Sequence, residues 1–100
     1  MAIRKELKDQ SLTVSLEGRI DSVTAPELEK ELMSATDSIR ELILDFAEID
    51  YVSSAGLRMI VALQKRMNQQ GSLVILNVRP EIISILEVTG LYKLLNIQEG

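Results

Sequence analysis

Two short aliphatic runs separated by one amphipathic segment constrain the fold of this chain more than any other feature. The runs are 42–44 (LIL) and 73–76 (LVIL), and the segment between them, from Ser54 to about Gln70, has apolar residues at helical spacing. Continuous apolar runs are typical of strands covered on both faces, so both runs are predicted to be buried strands. A strand-helix-strand order implies a right-handed parallel crossover. The chain is therefore predicted to be an α/β protein.

The residues before this unit predict a hairpin followed by a helix. Residues 3–7 and the alternating apolar residues of 12–16 indicate two antiparallel strands, and Gly18 is expected to end or bulge the second one. Thr24 is predicted to cap the helix, and Glu27 is predicted to complete a capping box.

The residues after Leu44 predict a loop, two more helices and a small last strand. The loop is expected at 47–52, Gly71 is expected to end the second helix in the left-handed conformation, and Pro80 opens a third helix that ends at Gly90. A short helical turn or loop at 91–95 and a small strand at 96–98 complete the order. The second helix is expected to have a buried stripe, formed by Leu57, Ile60, Val61 and Met67. The third is expected to have Ile82, Ile85, Leu86 and Thr89 on one side. Residues 1–100 are thus predicted to form one domain, with helices packed on a mixed sheet of four to five strands.

The composition excludes several kinds of chemistry. The 100 residues include no Cys and no His, which removes disulfide scaffolds, thiolate catalysis, Cys/His zinc sites and Ser-His-Asp triads. Aromatic residues make up only 3% of the chain, so an aliphatic core is expected. We expect no cofactor and no metal. The carboxylates of Asp21, Asp45, Glu48 and Asp50 are interpreted as solvated loop groups.

Charge and hydropathy give expectations about partners and compartment. The formal net charge is −4, and the Lys and Arg residues are scattered, whereas binding to nucleic acid needs a basic face. No apolar run approaches the roughly 18 residues of a membrane span. The first ten residues do not resemble a secretory signal. We therefore expect a cytoplasmic protein that binds neither nucleic acid nor membrane.

The start of the second helix is the best candidate for a functional site. It follows the carboxyl end of a parallel strand, where functional loops of α/β proteins collect, and its free amides favour an anion. A serine there can carry a phosphate without unfolding the helix. The alternative is that Ser53 or Ser54 is an ordinary N-cap. Gly56 costs about 1 kcal/mol in a helix relative to Ala, which indicates close approach of another backbone or of a partner.

Three segments resemble motifs of the anti-sigma factor antagonists, which carry a STAS domain. Residues 52–58 (VSSAGLR) look like the family's Asp-Ser-Ser/Thr-Gly-Leu loop. Residues 18–25 (GRIDSVTA) are similar to its Gly-x-Leu/Ile-Asp-x-x-Thr-Ala segment. Residues 87–94 (EVTGLYKL) are close to the family's helix-end pattern of Gly-Leu followed by an aromatic and a basic residue. The three segments occur in the family's order and span essentially the whole chain.

The resemblance implies roles for particular residues. When Gly56 and Leu57 are aligned with the family's Gly-Leu, Ser54 falls on the serine that a partner kinase phosphorylates. Ser53 stands where the family usually has Asp, and it is the second candidate acceptor. The residues expected to bind the partner are Asp21, Ser22, Thr24, Ser53, Ala55, Gly56, Leu57 and Arg58.

The resemblance also implies a partner switch. Proteins of this type bind an anti-sigma factor that is also a serine kinase, and this binding releases a sigma factor. The kinase then phosphorylates the serine and the complex dissociates, after which a serine phosphatase restores the active form. In such a switch the protein is a substrate and has no catalytic role of its own.

Two other functions stay open. Because Ser53 replaces the usual Asp, the chain could instead be a constitutive interaction subunit of a transport or signalling complex, without phospho-switching. The third hypothesis is a nucleotide-binding protein or weak NTPase, since a helix start can accept a phosphate. Against it, the sequence has no Gly-x4-Gly-Lys-Ser/Thr loop.

Overall fold

A five-stranded mixed sheet organises the chain, as predicted. The computed structural model describes residues 1–99, so that Gly100, the last residue of the predicted domain, lies outside the described residues. The strands are β1 (Ala2–Lys8), β2 (Ser11–Ile20), β3 (Glu41–Val52), β4 (Ser72–Val78) and β5 (Asn96–Glu99), the helices are α1 (Thr24–Ala35), α2 (Ser54–Asn68) and α3 (Pro80–Val88), and a 3₁₀ turn lies at Leu91–Lys93. The strand order is β1-β2-β3-β4-β5. β1 and β2 form the predicted antiparallel hairpin, and the other neighbours are parallel.

Only one face of the sheet is covered, so the prediction of strands buried on both faces is wrong. Along β3, Leu42 and Leu44 are buried whereas Ile43 between them is half-buried, and β4 alternates in the same way. Crossovers of one hand between successive neighbouring strands place every helix on the same face. The aliphatic side chains of Ile43, Val74 and Leu76 therefore lie on the face without helices.

β3 is longer than predicted, because residues 47–52 continue the strand instead of forming a loop. They pair with the end of β2, where Tyr51 lies opposite Arg19 and Val52 opposite Ile20. β2 reaches that far because Gly18 adopts a φ of +118° at a shift in register, which is the predicted bulge. Pairing with the bulged β2 therefore extends β3 as far as Val52, the residue before the N-cap of α2.

The buried face of α2 includes Ile60 and Met67, as predicted, but the rest of the face differs from the prediction. The buried residues of this helix are Gly56, Met59, Ile60, Leu63 and Met67. They follow Gly56 at intervals of three, four, seven and eleven residues and share its side of the helix. Leu57 and Val61, which were predicted to be buried, are only half-buried on an adjacent side.

The glycine that follows α2 corrects a further prediction. Gly71 does not adopt the left-handed conformation. A Cβ on Gly71 would overlap the carbonyl group of Arg40, so close contact with another backbone explains this glycine.

In α3 the buried residues are Ile82, Ile83 and Leu86. Of the residues predicted on one side of α3, Ile82 and Leu86 are buried, Ile85 is half-buried and Thr89 is exposed.

Candidate functional site

The two serines at the start of α2 have different environments. Ser53 is the N-cap, and its Oγ accepts a hydrogen bond from the Gly56 amide at 3.3 Å. Its own amide donates to the carbonyl oxygen of Ile20 at 2.8 Å. Ser54 is the first helical residue and is exposed. Within residues 1–99 its hydroxyl makes no hydrogen bond. The cap and the free hydroxyl are therefore separate residues.

The N-cap also explains the serine that replaces the family's Asp. Asp and Ser are both preferred N-cap residues, because either side chain can accept a hydrogen bond from a first-turn amide. Ser53 makes that hydrogen bond here. The replacement therefore preserves the cap and removes one negative charge beside Ser54.

Gly56 is fixed by contacts within the chain itself. Its Cα is buried against the ends of β2 and β3, where a Cβ would lie 2.7 Å from Ile20 Cγ2 and 2.8 Å from Val52 Cγ1. This decides between the two explanations that the sequence left open, since another part of the same chain makes the close approach. The contact of Gly56 with Ile20 and Val52 therefore fixes the position of the start of α2. A partner would contact the residues around Gly56.

The loop between β2 and α1 is held by Asp21 rather than by the predicted capping box. Asp21 Oδ1 accepts hydrogen bonds from the amides of Val23 at 2.9 Å and Thr24 at 3.0 Å. Thr24 Oγ1 instead accepts from the Asp21 amide at 2.9 Å and donates to the carbonyl oxygen of Arg19 at 2.7 Å. Val23 is the N-cap of α1 and makes no side-chain cap. The prediction that Thr24 and Glu27 form a capping box is wrong because the Thr24 hydroxyl is engaged with the strand end.

The same hydrogen bonds set the charge state of Asp21. The amides of Thr24 and Val23, in that order of importance, hold the pKa of the Asp21 carboxyl below its usual value of 3.8, and the guanidinium of Arg19 adds to this effect. Arg19 Nε lies 3.8 Å from Asp21 Oδ2. Asp21 is thus a fixed negative charge beside the helix start.

Arg19 and Tyr51 form a pair that the sequence did not reveal as part of the site. The Arg19 guanidinium carbon lies 4.4 Å from the centre of the Tyr51 ring, and 40% of Tyr51 is exposed. Tyr51 was missed because it was assigned to a loop. Its position opposite Arg19, which lies inside the second motif, becomes visible only when β3 is extended.

The fold brings the two predicted site segments together. The hydrogen bond from Ser53 to Ile20 joins the end of β2 to the start of α2, so the loop from Asp21 to Thr24 lies beside the helix start. Among the predicted partner-binding residues, Ser22 and Arg58 are exposed, Asp21, Thr24, Ser53, Ala55 and Leu57 are half-buried, and Gly56 is buried. The exposed and half-buried members form a surface around Ser54.

Comparison with known proteins gives the family. The model of the family described as STAS domain matches residues 2–100. The chain belongs to the STAS domain family. The resemblance seen in the three sequence segments is thereby confirmed.

This STAS domain is similar, over nearly its whole length, to proteins named as anti-sigma factor antagonists. It is 33% identical over 100 residues to the anti-sigma-B factor antagonist of Staphylococcus aureus (strain NCTC 8325 / PS 47), covering 98% of this chain and 93% of that protein. A crystal structure of an anti-sigma factor antagonist from Mycobacterium paratuberculosis matches with a TM-score of 0.88 and 26% identity, covering 99% of this chain and 86% of the other.

SpoIIAA, an anti-sigma factor antagonist, also has this fold. Its unphosphorylated form matches with a TM-score of 0.78 and 14% identity, covering 99% of this chain and 88% of the other. The phosphorylated form of the Bacillus protein matches with a TM-score of 0.75 and 16% identity, covering 96% and 90%. At these identities the match concerns the fold alone.

The described part of the chain has no group of three or more His, Cys, Asp or Glu residues placed to hold a metal ion. No helix in that part is long and apolar enough to cross a membrane.

Proposed function

We propose that this STAS domain is an anti-sigma factor antagonist that binds an anti-sigma factor with serine kinase activity and is released when Ser54 is phosphorylated. The exposed hydroxyl of Ser54 at the first position of α2, next to a separate N-cap, is the observation that carries the proposal. The names of relatives that match the chain over nearly its full length support it. The chain acts as the substrate of the kinase and not as an enzyme.

Ser54 is the better acceptor for geometric reasons. A kinase must bring the hydroxyl in line with the γ-phosphate of ATP, which requires an accessible oxygen. The Ser53 oxygen is half-buried and accepts the Gly56 amide, whereas the Ser54 oxygen is exposed. Transfer to Ser53 would also replace the cap of α2. Ser53 therefore remains the second candidate, behind Ser54.

A phosphate on Ser54 would leave the fold intact and change the surface. The amides of Ser54 and Ala55 have no hydrogen-bond acceptor within the described residues, and the start of a helix favours negative charge. The phosphate adds a charge of about −1.5 to −2 at pH 7. Together with Asp21 it would make the surface around Ser54 strongly negative. A change of about 1.4 kcal/mol in binding is already tenfold in affinity, so one such group is enough to release a partner.

The partners that follow from this proposal are proteins. They are the kinase and a serine phosphatase that acts on the phosphorylated form, and both reactions belong in the cytoplasm. In this switch the chain itself binds no nucleic acid, membrane, metal or cofactor, and the kinase binds the Mg-ATP.

Phosphorylation by the cognate anti-sigma factor kinase tests the acceptor. The purified chain, Ser54→Ala and Ser53→Ala are each incubated with the kinase and Mg-ATP, and the products are mapped by mass spectrometry. We expect phosphate on Ser54 in the wild type and in Ser53→Ala, and none in Ser54→Ala. Phosphate on Ser53 in the wild type would overturn the site assignment.

Binding to the same kinase separates the switch from a constitutive interaction. We expect unphosphorylated wild type and Ser54→Ala to retain the kinase in a pull-down, and Ser54→Asp to lose it. Equal retention of all three proteins, together with an unmodified Ser54, would favour the constitutive interaction subunit.

A further inference from the structure

A shallow groove runs along the outer side of α2, between that helix and the end of α3. It is lined by Leu57, Arg58, Val61, Ala62, Lys65, Thr89 and Leu91. The aliphatic members are half-buried, and the two cations are exposed. Thr89 presents no free donor here, since its hydroxyl donates to Ile85 at 2.9 Å within its own helix.

The groove uses a second apolar face of α2 that the core does not need. The core takes the side of α2 on which Gly56 lies. Leu57 and Val61 lie outside that side of the helix, and these two apolar side chains are only half-buried. On the opposite wall, Thr89 and Leu91 lie between Val88 and Leu94 in sequence, which are 88% and 66% exposed. Exposed apolar side chains rimmed by charge are a feature of protein interfaces.

The charges at the rim have one sign. Arg58 and Lys65 are two turns apart on α2, or about 10.5 Å along the helix axis. Neither forms an ion pair with any residue of the described chain, and the residues lining the groove include no carboxylate. The chain as a whole has a net charge of −4, so this positive rim is a local feature. A complementary occupant has an apolar stripe and two carboxylates about two helical turns apart.

Ser54 lies on the same face of α2 as the groove. Ser54, Arg58, Val61 and Lys65 follow one another at intervals of four, three and four residues, which is the spacing of one helix face. Side chains four residues apart on a helix are neighbours. A phosphate on Ser54 therefore comes within reach of the Arg58 guanidinium.

We propose that the groove binds an acidic amphipathic helix of the partner protein, and that the phosphate on Ser54 competes with that helix for Arg58. This rests on the proposed function and deepens it, because it names the chemistry of the partner element and the cation through which the phosphate acts. The groove is open along its side, with α2 as one wall and the segment of Thr89 and Leu91 after α3 as the other, and such a groove suits a docked helix. The apolar contacts hold the helix, and its carboxylates meet Arg58 and Lys65. The phosphate acts by withdrawing Arg58 from the carboxylate that this guanidinium would otherwise meet.

Designed helical peptides test the groove without the natural partner. A fluorescein-labelled, side-chain-stapled peptide presents Leu at i, i+4 and i+7 and Glu at two positions seven residues apart. A second peptide has Lys in place of both Glu residues. We expect the acidic peptide to bind at least about tenfold more tightly, equivalent to about 1.4 kcal/mol. Amide shifts in NMR spectra should centre on Leu57, Val61 and Leu91.

Charge reversal of the rim provides the specific control. In Arg58→Glu/Lys65→Glu the preference should invert, so that the Lys peptide binds more tightly than the Glu peptide. Lys30→Glu reverses one positive charge on the exposed face of α1, away from the groove, and should leave binding unchanged. Ser54→Glu should weaken the acidic peptide severalfold in the wild type and have no effect when Arg58 is Gln. Circular dichroism verifies that each variant is folded.

Several outcomes would overturn the inference. One is equal binding of the two peptides, another is a set of amide shifts away from the groove, and a third is a Ser54→Glu effect that persists without Arg58. If neither peptide bound and dodecanoate did bind in the groove, the groove would be assigned to an acyl chain. Self-association in sedimentation that Lys65→Glu abolishes would assign it to a second copy. Because no arm uses a kinase, failure to find phosphorylation of Ser54 would refute the proposed function and leave the peptide result standing.

Discussion

The Cα of Gly71 lies against the carbonyl group of Arg40, so closely that any Cβ at position 71 would overlap it. The same carbonyl oxygen accepts a hydrogen bond from the Ser72 amide at 2.9 Å, which starts β4 beside β3. We expect Gly71→Ala to lower the free energy of unfolding by about 3 kcal/mol, because the two backbones must separate. Guanidinium unfolding followed by circular dichroism measures this.

Gly90→Ala is the matched control for that substitution. Gly90 has a φ of +80°, but a Cβ there would have nothing within 4 Å. The left-handed conformation alone costs an alanine about 1 kcal/mol. A loss at Gly90 equal to or greater than the loss at Gly71 would contradict the close approach.

Ser53 and Ser54 should differ in their effect on stability. We expect Ser53→Ala to cost about 1 kcal/mol, because it removes the cap on the Gly56 amide. Ser54→Ala should be neutral within about 0.5 kcal/mol, because the substitution is exposed and away from any cap or core contact. Ser53→Asp should keep the stability of the wild type. Thermal melts of the three variants measure the difference, and equal losses at both positions would show that Ser53 is not the cap.

Two adjacent residues of β3 test the one-sided sheet. Leu44 is fully buried against the helices, so Leu44→Ala should cost about 3 to 4 kcal/mol. Ile43 faces the other side and is half-buried, so Ile43→Ala should cost roughly half as much or less. Urea unfolding of both variants gives the comparison. Similar losses would indicate that both faces of the sheet are covered.

Asp21 should add a pH-dependent contribution to stability. Its pKa in the folded protein lies below the usual value of 3.8, because the Thr24 and Val23 amides favour the ionised carboxyl. The contribution is therefore complete above about pH 5 and is lost as the pH falls through the lowered folded pKa. Asp21→Asn lacks it. The difference in unfolding free energy between wild type and Asp21→Asn should be constant at neutral pH and shrink below pH 3.8.

The comparison of the two proteins cancels all other carboxyl groups, since both contain them. It is made by chemical unfolding at a series of pH values and constant salt. A difference that grows as the pH falls would mean that the folded protein favours the protonated carboxyl, contrary to the hydrogen bonds at Asp21.

The sequence predicted those elements whose pattern is local. Alternation over residues 12–16 identified β2 because a half-buried strand repeats every two residues. Residues 47–52 were predicted to form a loop, but pairing with the bulged β2 holds them in the sheet although Glu48 and Asp50 are exposed. Long-range pairing of this kind leaves no local signal.

The candidate site was likewise predicted only in part from the sequence. Ser54 and the motif around it were found from the sequence, and the structure separates this serine from the cap at Ser53. The rotation of α2 could not be predicted, because Gly56 sets it through contact with Ile20, a residue 36 positions earlier. That rotation decides that Leu57 and Val61 face the groove instead of the core.

The strand order has a practical consequence for protein engineering. Because the strands lie side by side in the order in which they are synthesised, the first and last strands are the two outer edges of the sheet. They are four strand spacings apart, or about 19 Å. Fused sequences at the two ends would therefore leave from opposite sides. A circular permutant opened at the turn between β1 and β2 would need a connecting linker of at least about six extended residues.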